Sequence, residues 1–264
     1  MNYLEQIRKQ KPLIHNITNT VVANFSANGL LAIGASPAMA NAPEEAAEMA
    51  SHADTLVLNI GTCTQSQVEA MILAGKSANK KGIPVILDPV AIGATAFRTG
   101  AINQILNKVD VSVIRGNAGE ISVLGELDTE MKGADTLVDE IDPEVAIHVA
   151  KNYGAVVIAT GKTDTITDGN SFTQCKNGVA MLPYVTGAGC LLTAVVGAFS
   201  SVSIDLYEAS VKAVCSYGVA AELAMEFAKG PGTFLPAFLD VLYELTEEMV
   251  QTKANIRELS LKGE

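Results

Sequence analysis

A chain of 264 residues, 48% of them apolar, is long enough to bury a large core, and its formal charge of −11 argues against a nucleic-acid or anionic-membrane partner. The four cysteines (Cys63, Cys175, Cys190 and Cys215) are scattered with no Cys-x-x-Cys pair, so neither a disulfide framework nor a zinc site is indicated. The first residues, Met1 to Arg8, lack the apolar core of a signal peptide and no apolar run reaches the length of a membrane span, so a cytoplasmic protein is expected. With no linker, low-complexity tract or repeat, residues 1–264 read as a single domain.

Short apolar strands alternate with longer helical patterns along most of the chain. The strands are expected at Leu13–His15, Thr55–Asn59, Ile83–Leu87, Val111–Ile114 and Ala155–Ala159. Their nearly continuous apolar character suits strands covered on both faces of a parallel sheet. Helical stretches are expected at about 20–31, 43–52, 64–81, 98–108, 117–125 and 142–153. This alternation predicts an α/β fold, a three-layer αβα sandwich with a mostly parallel central sheet and right-handed crossovers. Two polar-apolar runs around Asp168-Gly169-Asn170 break the rhythm and predict an antiparallel hairpin at one sheet edge. Beyond it the chain turns almost wholly helical, at 187–202, 205–229 and 233–250, which should cover one face.

Ligands of an open α/β sheet lie beyond the carboxyl ends of its strands. Here those ends run into Asn16-Ile17-Thr18-Asn19, Gly61-Thr62, Asp88-Pro89-Val90, Arg115-Gly116-Asn117-Ala118-Gly119-Glu120 and Thr160-Gly161. That shared edge is the expected site. Opposite it stands Val185-Thr186-Gly187-Ala188-Gly189-Cys190, leading into an apolar helical run. Glycines before a helix let its free amides and positive dipole end approach an anion, so Gly187 and Gly189 are either a phosphate-binding hole or a plain tight turn. A thiol at this helix start should have its pKa lowered, so partial thiolate is expected at Cys190.

Two readings stand open for each charged residue of this edge. Asp88 either binds a hard cation or caps a turn, and Glu120 either joins it or closes a capping box on Asn117. Arg115 either pairs with phosphate or is a surface arginine. Met39 is by default a core filler, and His15, His52 and His148 share no ligand spacing and are assigned no chemistry.

Asn117-Ala118-Gly119-Glu120 matches the Asn-x-x-Glu motif of ribokinase-like kinases, and Thr186-Gly187-Ala188-Gly189 matches their anion-hole motif. More narrowly, His15-Asn16-Ile17-Thr18-Asn19, the run from Asn28 to Pro37, Leu58-Asn59-Ile60-Gly61-Thr62, Asp88-Pro89-Val90 and Ile114-Arg115-Gly116-Asn117 resemble the hydroxyethylthiazole kinase family of thiamin salvage. The resemblance implies ATP-dependent phosphorylation of the primary alcohol of 4-methyl-5-(2-hydroxyethyl)thiazole, with Mg²⁺ held by Asp88 and Glu120. It implies that Arg115 and Thr160 contact ATP, with the Gly187 and Gly189 amides on phosphate. Asn19, Met39 and Gly61 would line the thiazole pocket, with Gly187 at the phosphate-substrate junction. It further implies a homotrimer with sites between subunits, Met39 serving a neighbour's site. Cys190 stands where the wider superfamily usually has Asp, and would accept or orient the alcohol proton. Ala91 stands where the family normally has Gly, a departure read as tolerated.

Overall fold

The computed structural model describes residues 2–127 and 140–260; residues 1, 128–139 and 261–264 of the expected single domain lie outside the described residues. In chain order the elements begin with α1 (Tyr3–Gln10), β1 (Leu13–Ile17), α2 (Ala23–Ile33), β2 (Ser36–Ala38), α3 (Pro43–His52) and β3 (Thr55–Asn59). They continue with α4 (Gln65–Lys81), β4 (Val85–Asp88), α5 (Ala96–Leu106), β5 (Val113–Asn117), α6 (Ala118–Leu127), α7 (Pro143–Tyr153) and β6 (Val156–Thr160). The hairpin β7 (Asp164–Thr167) and β8 (Ser171–Cys175) precedes α8 (Ala188–Ser200), α9 (Leu206–Met225), α10 (Pro231–Glu244), α11 (Glu247–Lys253) and β9 (Ile256–Ser260). The helix boundaries follow local chemistry. Thr64 and Gln67 form a reciprocal capping box on α4, which Gly82 ends in the left-handed region at φ 78. Asp142 caps α7 ahead of Pro143.

The strands form one sheet in the order β2-β1-β3-β4-β5-β6-β7-β8-β9. Strands β1 to β6 run parallel, and β6 to β9 pair antiparallel. The period-2 alternation sorts each strand's side chains between two cores. Val57 and Ile86 pack with residues of α2, α8, α9 and α10 on one face, while Leu56, Leu58, Val85 and Leu87 pack with α3 to α7 on the other. The three-layer sandwich expected from the alternation is therefore present, and the late helices do cover one face.

Several boundaries differ from the sequence reading. Strands β4, β5 and β6 begin one or two residues late and run on through Asp88, Arg115-Gly116-Asn117 and Thr160. The parallel ladder carries these polar residues into the sheet, pairing Asn59 with Asp88 and Asn117 with Thr160. The expected single helix at 233–250 is two, because Leu245 is extended and Thr246 caps a new helix by accepting from the Met249 amide. The hairpin is not the sheet edge, since β9 adds a strand beyond it. Helix α1 was passed over although Tyr3, Leu4 and Ile7 recur at helical spacing, and strands β2 and β9 show no clean alternation.

Candidate active site

The carboxyl ends of β3, β4, β5 and β6 bring Asn59, Asp88, Asn117 and Thr160 to one edge of the sheet, and α8 crosses above with its N-terminus toward them. Gly187 is the N-cap of α8, at φ 86, and a β-carbon there would collide with the side chain of Val22. Glycine is required on both counts. The first helical bond runs from the Leu191 amide to the Gly187 carbonyl at 2.8 Å, and the Ala188 amide turns back to Val185 at 3.1 Å. The amides of Gly189 and Cys190 thus have no acceptor in the helix, and with Arg115 beside Gly189 this end can receive an anion.

Arg115 lies directly under this helix end. A β-carbon on Gly189 would stand 2.5 Å from one terminal guanidinium nitrogen and 3.0 Å from the other. The guanidinium donates to Thr160 Oγ1 at 2.5 Å and stands 3.9 Å from Asp88 Oδ2, while its buried Nε has no partner. A cation pressed against the positive end of a helix is repelled unless an anion joins them. Placement of Arg115, Thr160, Gly187 and Gly189 together is the arrangement a phosphate chain needs, and Arg115 is no surface arginine.

Asp88 is fully buried. Its Oδ2 accepts from Asn59 Nδ2 and Thr193 Oγ1, both at 2.8 Å, whereas its buried Oδ1 has no hydrogen-bond partner. Burial pushes this carboxyl up to about 6; the Arg115 guanidinium opposes the rise and the Glu120 charge adds to it. The capping box is real as well. Glu120 Oε2 accepts from the Asn117 amide at 2.8 Å, Asn117 Oδ1 accepts from the Glu120 amide at 2.8 Å, and Glu120 Oε1 accepts from the Ala91 amide at 2.7 Å. Each oxygen of Glu120 accepts one bond and keeps a further lone pair. An orphaned carboxylate oxygen beside a second carboxylate is a donor set suited to Mg²⁺, which takes one or two carboxylates and completes its shell with water and phosphate. Among the described residues no cluster of three or more His, Cys, Asp or Glu forms an all-protein metal cage.

A further polar group is continuous with this. Asn19 Nδ2 donates to Asn59 Oδ1 at 2.9 Å and to Cys190 Sγ at 3.5 Å, and the Gly61 amide donates to Asn59 Oδ1 at 3.0 Å. A β-carbon on Gly61 would sit 2.7 Å from Asn19 Nδ2. Asn59 therefore bridges the Asn19–Gly61–Cys190 group to Asp88.

One expectation is overturned here. Cys190 does not have the lowered pKa of a thiol at an open helix start. Burial and the neighbouring Asp88 carboxylate push it up to about 11, against the smaller opposing effects of Asn59, Arg115 and Asn19. At neutral pH the thiol is protonated. Ala91 adopts φ 54, in the left-handed region, so it keeps the backbone shape a glycine would give and presents its amide to Glu120. Met39, just past β2, is half-buried and belongs to neither apolar core, so the core-filler reading does not hold. It has no place in the Asn19–Asn59–Asp88 network.

A model of the hydroxyethylthiazole kinase family matches residues 4–248. The chain belongs to that family. Hydroxyethylthiazole kinase 2 of Oceanobacillus iheyensis is 54% identical over 256 residues, covering 97% of this chain and 98% of that protein. Hydroxyethylthiazole kinase of Listeria monocytogenes serovar 1/2a is 50% identical over 258 residues, covering 97% and 96%. Among solved structures, the hydroxyethylthiazole kinase protein from Pyrococcus horikoshii superposes with a TM-score of 0.89 at 41% identity, covering 98% of each chain. Pyridoxal kinase from Staphylococcus aureus, in complex with AMP-PCP and pyridoxal, gives 0.65 at 14% identity and shares the ribokinase-like fold.

Sequence reasoning passed over two residues that bond Asp88. Asn59 closes an apolar strand and lies in the Leu58–Thr62 run that carries the resemblance, but no role was assigned to it. Thr193 is one hydroxyl in the apolar run of α8, and nothing in that run distinguishes it from core until Asp88 is seen beneath it.

Proposed function

We propose that this kinase transfers the γ-phosphoryl group of ATP to the primary alcohol of 4-methyl-5-(2-hydroxyethyl)thiazole, in thiamin salvage. The observation that carries the reading is the pair of buried orphans, Asp88 Oδ1 and Arg115 Nε, on residues that adjoin the first turns of α8. Arg115 and Thr160 hold the phosphate chain, and the Gly189 and Cys190 amides receive the oxygens of the transferring group. Asp88 and Glu120 would hold Mg²⁺, which neutralises phosphate charge when bound. Asn19 and Gly61 place the alcohol, with Asn59 fixing which way the Asn19 amide points. Catalysis in such a transfer is mostly positioning and charge stabilisation, and a loose transition state asks little of a base. A protonated Cys190 suits that demand, its sulfur orienting the alcohol oxygen in line with the γ-phosphorus.

ADP release, measured with ATP and Mg²⁺ and either the thiazole alcohol or a hydroxymethylpyrimidine, tests the reading. Turnover dependent on the thiazole supports it; turnover with the pyrimidine alone, or with neither, overturns it. The single sheet running from Leu13 to Ser260 supports one kinase domain. Four free cysteines support a cytoplasmic setting, and among the described residues no helix is long and apolar enough to cross a membrane. A homotrimer with shared sites is supported by Val21 and Leu31, 65% and 58% exposed on and beside α2, and by Met39, which packs into neither core. Mixing inactive Met39 and Cys190 variants should restore activity, and a fully active monomer in light scattering would refute the assembly.

A further inference from the structure

Arg98 has no role in the family reading, yet its guanidinium makes three hydrogen bonds. It stands in the first turn of α5, where Thr95 caps the helix and accepts from the Arg98 amide at 3.3 Å. One terminal nitrogen donates to the carbonyls of Ile60, at 3.0 Å, and Val90, at 2.8 Å; the other donates to the carbonyl of Gly61. No carboxylate stands within ion-pair distance of it among the described residues. A charged group has thus been set on three main-chain oxygens from two different loops. Bonds from a guanidinium are charge-assisted, and its planar fork can reach acceptors in several directions at once.

What those two loops carry gives the contact its meaning. The loop after β3 holds Gly61, whose amide is bound to Asn59 and whose α-carbon is pressed against Asn19. The loop after β4 holds Val90 and then Ala91, whose amide is bound to Glu120. Ala91 is in the left-handed region, which is unfavourable for an L-residue and persists only where its surroundings over-determine it. Arg98 on the Val90 carbonyl and Glu120 on the Ala91 amide grip that turn from both sides.

We propose that Arg98 is a positioning residue for phosphoryl transfer. It locks the acceptor loop at Ile60–Gly61 to the carboxylate loop at Val90–Ala91, so that the alcohol and the Asp88–Glu120 pair share one rigid frame. The inference rests on the proposed function for its substrate, but the clamp is observable without turnover. The Arg98 side chain bonds the two loops and not Arg115, Thr160 or α8, which form the phosphate side.

The test compares wild type, Arg98→Ala and Arg98→Lys by ADP release well below their melting temperatures, and by hydrogen exchange of the free proteins. A misplacement of about 1 Å costs on the order of 10²-fold, so kcat/KM for the thiazole alcohol should fall by about that factor in Arg98→Ala. The KM for ATP should rise by less than kcat/KM for the alcohol falls. Amides around 60–62 and 90–92 should lose protection together while those of α8 keep theirs. Lysine, a point charge without the fork, should recover only part of the loss. It also carries the comparison should Arg98→Ala not fold. A kcat/KM for the alcohol within about twofold of wild type, or equal rises in both KM values, would overturn the proposal. So would unchanged protection of either loop. If wild type itself fails to phosphorylate the thiazole, the proposed function falls, and joint loss of protection in the two loops still decides whether the clamp exists.

Discussion

Asp88→Asn separates what the buried carboxylate does for the reaction from what it does to the fold. In the free protein its carboxyl is pushed from 3.8 up to about 6, so keeping it ionised at pH 7 costs about 3 kcal/mol relative to the unfolded chain. Because the folded pKa is the higher one, the native state holds more protons between these values, and wild-type stability falls as pH rises through that window. The asparagine removes this dependence. One end of its amide still accepts from Asn59 and Thr193, while the other replaces Oδ1, which has no partner. That unpaired group costs about 1–3 kcal/mol, at every pH alike. The variant's stability relative to wild type should therefore climb by about 2–3 kcal/mol between pH 4 and pH 7, whatever its offset at pH 4. Asp164, also raised to about 6, is present in both proteins and cancels. Urea unfolding at fixed protein concentration, without nucleotide or metal, reads the difference. Parallel stability curves across that range would refute the buried-charge argument. The same variant should have lost its kinase activity, and ATP with Mg²⁺ should raise the unfolding midpoint of wild type but not of Asp88→Asn.

Gly189→Ala should gain helix propensity, up to about 1 kcal/mol, yet displace Arg115, so its ATP KM should rise about tenfold or more in steady-state assays while its melting temperature holds. With its thiol at about 11, Cys190 should be alkylated slowly at pH 7, the rate in mass-spectrometric peptide mapping rising about tenfold per pH unit toward that value. The same state means kcat/KM for the alcohol should be flat between about pH 7 and 9, and a steady tenfold rise per unit would restore Cys190 as a base. Ala91→Gly should relieve left-handed strain and add up to about 1 kcal/mol of stability, with Ala91→Val destabilising, as read by thermal unfolding.

Much of the architecture was legible in the chain because it depends on local patterns. Short, nearly continuous apolar runs at 55–59 and 83–87 suited strands covered on both faces, and the turn at Asp168-Gly169-Asn170 announced its own hairpin. The site edge was legible too, since Asp88, Arg115 and Thr160 each close such a run, and the motifs at Asn117–Glu120 and Thr186–Gly189 tied that edge to a kinase family. Burial was not legible, because it is a property of every element that packs around a residue. A cysteine at a helix start reads as a thiolate from its own turn alone; the sheet beneath it and the Asp88 charge reverse that. The partners of Asp88 lie 29 and 105 residues away in sequence, at Asn59 and Thr193, and no spacing rule joins them. Arg98 is the extreme case. Its sequence context is an ordinary helical turn, and only the folding of two loops onto one guanidinium gives it a function.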